Sequence, residues 1–110
     1  MPVVIDRRIE SIDLELTAAA QGRSLCAISR SVGSVPAVKY LEGRRAALGE
    51  VRRALRAGRP FAEVLADRTG AWRTELARTI DSSMGADWQA YRAGGVDELE
   101  SLDVPSRPSG

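Results

Sequence analysis

The chain has 110 residues, 44% of them apolar and 28% charged, with a net charge of +1, which fits one modest folded domain. It contains no histidine and one cysteine, Cys26. That excludes Ser-His-Asp and Cys-His catalysis, an internal disulfide and a thiolate zinc site.

No apolar run approaches the ~20 residues of a membrane span. Charge enters at Asp6, too early for a signal peptide. The expectation is a cytoplasmic protein with no membrane partner, no metal and no cofactor. Cys26, between Leu25 and Ala27, reads as a small buried hydrophobe. The basic residues are 15 Arg and the single Lys39, beside 16 Ala, a bias that the codon usage of a GC-rich genome also explains.

Charge is segregated along the chain. Residues 1–21 carry 2 basic and 4 acidic groups, residues 22–79 carry 12 and 5, and residues 80–110 carry 2 and 6. A basic middle between acidic ends has two readings. Either the middle is an anion-binding surface, for nucleic acid above all, or the acidic ends fold back onto it.

Ile5, Ile9, Ile12, Leu16 and Ala19 recur at steps of 4, 3, 4 and 3, an amphipathic helix of roughly 15 residues. Asp6 is its expected N-cap and Gly22 its stop. The same spacing suits a coiled-coil seam, so this stripe could pair with a copy of itself. Ser24 opens a short second helix holding Leu25, Ile28 and Val32, ended by Gly33. A hairpin of 24–28 with 35–39 is the alternative for this stretch.

Ser34, Val35 and Pro36 start the next helix, with Val38, Leu41, Leu48, Val51 and Leu55 as its apolar stripe and Gly43 as a break. Ala57-Gly58-Arg59-Pro60 is a stop and restart. Phe61, Val64 and Leu65 mark a short helix, and Trp72, Leu76 and Ile80 another. Trp88 and Tyr91 mark a last one, ended by Gly94-Gly95. Both tryptophans read as core. From Val96 the chain turns acidic and then Pro/Ser/Gly-rich, so 96–110 reads as a mobile tail behind a helical domain of 1–95. The fold expected is all-α, a small single-domain bundle of four to six helices.

The segment 24–45 resembles a helix-turn-helix. Ile28 and Val32 would hold down the first helix, Gly33 would make the turn, and Val38 and Leu41 would anchor the second. Val38 falls one residue short of the usual spacing from that turn. The resemblance implies that the second helix enters the major groove. Ser34, Ala37, Lys39 and Tyr40 would face bases and backbone, with Arg23, Arg30, Arg44 and Arg45 on phosphates.

Residues 43–65 are similar to the basic helix of actinobacterial integration host factor, which implies phosphate contacts from Arg44, Arg45, Arg52, Arg53 and Arg56. The Gly-rich helix–two-turn–helix of that family does not follow Leu65. Independently, at ~100° per residue Leu41, Leu48, Val51 and Leu55 share an arc of about 80°, and Arg45, Arg52, Arg53 and Arg56 share the adjoining ~100°. Five phosphate contacts would give a salt slope of about −4 to −5.

Asp6, Glu10, Asp13 and Glu15 read as a solvated face rather than a catalytic pair, and Gly94-Gly95 lacks the strand and Lys of a phosphate loop. The chain is therefore not expected to be an enzyme. Two functions stay open. One is a small DNA-binding protein, a regulator or DNA-organising factor, dimerised through its first helix. The other is a non-catalytic helical assembly or interaction protein with a protein partner, such as a phage structural or head–tail joining component.

Overall fold

The computed structural model describes residues 2–30, 35–82 and 85–103, with side chains described for 3–19, 36–82 and 85–102. These residues form four helices, α1 (Pro2–Arg30), α2 (Val35–Arg56), α3 (Phe61–Asp81) and α4 (Ala86–Asp103), and no strand. The helices are fewer and longer than the apolar stripes suggest. Helix α1 runs unbroken through Gly22 and Ser24 to Arg30. The first helix expected of the helix-turn-helix is thus the end of a long helix, not a separate short one. The hairpin reading is overturned, since 24–28 and 35–39 are both helical. The turn expected at Gly33 lies outside the described residues.

Helix α2 is central and packs against each of the other three. Its Ala47, Leu48 and Val51 are fully buried. On one side they meet Ile5, Ile9 and Ile12 of α1, and on the other Val96, Leu99 and Leu102 of α4 and Val64, Leu65 and Trp72 of α3, all in one apolar core. The isoleucine stripe of α1 is therefore spent inside the chain and is not free for a coiled coil.

Gly43 and Gly94 do not stop their helices; they let two helices touch. A Cβ on Gly43 would overlap the Tyr91 carbonyl oxygen, and one on Gly94 would overlap the Tyr40 carbonyl oxygen. The α2–α4 crossing brings backbone against backbone at both points, and only a residue without a side chain fits there. Gly95 meets the Trp72 ring in the same manner.

The tail expected from residue 96 is corrected by this packing. Residues 96–103 continue α4, and Val96, Leu99 and Leu102 belong to the core. The acidic look of the segment misled because Glu98 occupies a buried position among them.

Helix α3 joins the two short helices expected between Pro60 and Ser82. Its inner stripe keeps Leu65 and Trp72 but then takes Thr79, leaving Ile80 54% exposed. The Thr79 hydroxyl donates to the Glu75 carbonyl at 2.7 Å, which satisfies it inside. The α2–α3 turn is as read: Gly58 takes φ +93° and Pro60 caps α3 in extended conformation. No described helix is long and apolar enough to cross a membrane.

Candidate functional site

The arginines of α2 are where function was expected, and their surroundings decide what they can do. Arg44 points into the α1–α2–α4 junction. Its Nε donates to Glu98 Oε1 at 2.8 Å, while Arg8 Nη1 of α1 donates to Glu98 Oε2 at 2.6 Å. Arg8 also reaches the Ser101 hydroxyl at 2.6 Å, and that hydroxyl donates to the Glu98 carbonyl. Glu98 is only 3% exposed, so two cations neutralise one buried anion where three helices meet. Taking these charges out of water offsets much of their mutual attraction, so the triad adds little net stability, while losing one partner would be costly.

Farther along α2, Arg45 Nε donates to Asp13 at 2.9 Å and Arg52 Nη1 to Asp6 at 3.3 Å. Asp6 is thus a partner for α2, and the helix begins before it, at Pro2. Lys39 pairs with Glu42 at 3.1 Å. The Tyr40 hydroxyl donates to Asp97 at 2.5 Å, and this bond, with burial second, pushes its pKa up to about 12.

Of the expected phosphate ligands, Arg44, Arg45 and Arg52 are each held by a carboxylate of α1 or α4. Arg53 and Arg56 are exposed and make no ion pair among the described residues. Ala37 is exposed in the first turn of α2. Arg23 and Arg30 lie on α1 with side chains outside the described residues, and Ser34 lies wholly outside them. The structure therefore brings together Arg45, Arg52, Arg53 and Arg56 on one flank of α2, turns Arg44 inward, and sets Lys39 and Tyr40 toward α4.

A second feature lies on the far side of α2. Trp72, Tyr91 and Trp88 form an aromatic ladder, with centroids 5.5 Å and 5.7 Å apart. The Arg92 guanidinium lies 4.9 Å from the Trp72 ring, and the Lys39 ammonium 5.5 Å from the Trp88 ring, both within cation–π range. Trp72 is core, as expected, at 2% exposure; Trp88 is 46% exposed and is not.

Beside the ladder opens a cleft of about 550 Å3 lined by Glu50, Arg68, Trp72, Thr74, Glu75 and Arg92. Its charged groups hold one another. Glu50 accepts the Trp72 indole N–H at 2.9 Å and Arg68 at 3.1 Å, and this pairing raises the Arg68 pKa further above its usual value. Glu75 takes Arg78 at 3.1 Å and Arg92 at 3.9 Å. Among the described residues no group of three or more Cys, Asp or Glu is placed to hold a metal ion.

The third feature was missed in the sequence. Val3, Val4 and Leu14 of α1 are exposed apolar side chains, Val3 and Leu14 on the side of the helix opposite Ile5, Ile9 and Ile12. The signal was present: Val3, Arg7, Glu10 and Leu14 repeat the 4, 3, 4 steps of the isoleucine stripe, offset by two residues onto the opposite face.

In comparisons with known proteins, no family model, no curated protein and no solved structure matches the chain.

Proposed function

We propose that this chain is a non-catalytic helical assembly protein that works through protein–protein contact rather than through DNA. The observation that carries this reading is the internal pairing of the basic middle: Asp6, Asp13 and Glu98 take Arg52, Arg45 and Arg44. A cation already paired offers less to a phosphate, because the carboxylate must first be displaced. The surface also carries exposed apolar side chains, at Val3, Val4, Leu14, Ile80 and Trp88.

One observation favours the DNA-binding reading. Arg53 and Arg56 are exposed and unpaired among the described residues, next to the weakly held Arg45 and Arg52.

Fluorescence anisotropy of a labelled duplex of about 30 base pairs, titrated at several salt concentrations, separates the two. The assembly reading expects no binding at physiological salt, and at low salt a slope no steeper than about −2, two free arginines' worth. A slope of about −4 to −5, abolished by Arg53→Glu with Arg56→Glu, would establish DNA binding instead.

A further inference from the structure

We infer that the outer face of α1 binds a second copy of this chain, pairing α1 with α1 antiparallel about a two-fold axis between residues 8 and 9. The inference rests on the assembly reading and names its partner. Ile5, Ile9 and Ile12 are buried against the body of the chain. On the opposite side Val3 and Leu14 are 60% and 69% exposed, and no described residue covers them. Arg7 and Glu10 lie between Val3 and Leu14, exposed and without an ion pair among the described residues.

The four side chains fit their own inverted copy. At ~100° per residue, Val3, Arg7, Glu10 and Leu14 share an arc of about 60°, and their steps of 4, 3 and 4 are those of a coiled-coil seam. In an antiparallel pair Val3 meets Leu14 of the other copy, and Arg7 meets Glu10. Each contact occurs twice, as a closed two-fold interface requires. A parallel pair would set Arg7 on Arg7 and Glu10 on Glu10, so the charges select the antiparallel one.

The flanking carboxylates raise no objection. Asp6 and Asp13, on one edge of the seam, are already neutralised by Arg52 and Arg45. The seam spans about three helical turns, too little for an obligate dimer and suited to a reversible one.

The test is sedimentation velocity of the full chain from about 10 to 500 µM, the range in which an interface of this size exchanges. A monomer–dimer equilibrium is expected. Leu14→Asp should abolish it with the helix content unchanged, because the side chain is on the surface. Arg7→Glu and Glu10→Arg should each weaken dimerisation at least about tenfold by setting like charges together. The double variant Arg7→Glu/Glu10→Arg should restore it, and an equimolar mixture of the two single variants should form heterodimers.

Three results overturn the inference: a monomer throughout the range, a dimer indifferent to Leu14→Asp, or a double variant as weak as the singles. None of them touches the assembly reading, which fails separately if Arg53 and Arg56 carry duplex binding.

Discussion

Tyr40 holds its proton for Asp97, and alkaline titration reads that bond. With its pKa raised from 10.0 to about 12, the bond stabilises the fold fully below pH ~10 and is lost as the pH rises through about 12. Absorbance at alkaline pH should show a tyrosine titrating near 12, and Tyr40→Phe should remove that phase. Glu98 is the other residue on which local chemistry turns. Replacing Arg8 and Arg44 together by alanine strips a buried carboxylate of its cations, a loss of the kind that costs about 3–5 kcal/mol. Chemical denaturation should show this, and should show a much smaller loss for Glu98→Gln, which keeps the shape and deletes the charge.

The helices make a sharper contrast, because two glycines in similar positions should respond with opposite signs. Gly43→Ala pushes a methyl into the Tyr91 backbone and must separate α2 from α4, a destabilisation of at least about 1–3 kcal/mol. Gly70→Ala, mid-helix in α3 with open space around it, should stabilise by about 0.5–1 kcal/mol. Thermal melts of the two variants settle the comparison. The same contrast explains how far the sequence could be read. The all-α class and the buried Ile5–Ile9–Ile12 stripe were legible because apolar spacing is local information. Helix lengths were not, because Gly22, Gly43, Gly70 and Gly94 look alike in a string. One stopping glycine was legible, Gly58, because Pro60 follows it. Whether another interrupts a helix or admits a neighbour depends on residues far along the chain. The arginine flank of α2 was legible for the same local reason as the isoleucines, while its carboxylate partners, up to 46 residues away at Asp6, were not.

For the whole molecule, segregated charge in the sequence becomes mixed charge in the fold. The acidic ends lie on the basic middle, one through Asp6 and Asp13, the other through Glu98. The double change Arg45→Glu/Arg52→Glu, which a DNA-binding surface would register as lost affinity, should here loosen α1. It sets like charges against Asp13 and Asp6, at a cost of about 1–2 kcal/mol, visible as a lower melting temperature. Ile9→Asp should unfold the chain rather than merely separate copies. The α2–α4 crossing also has a consequence for synthesis. Helix α2 leaves the ribosome before α4, yet the groove at Gly43 is filled by α4. Until Tyr91, Leu99 and Leu102 are translated, Leu48 and Val51 lack part of their cover, so a nascent chain halted near residue 85 would expose an apolar trough. Such a truncated product should be sticky and quickly degraded.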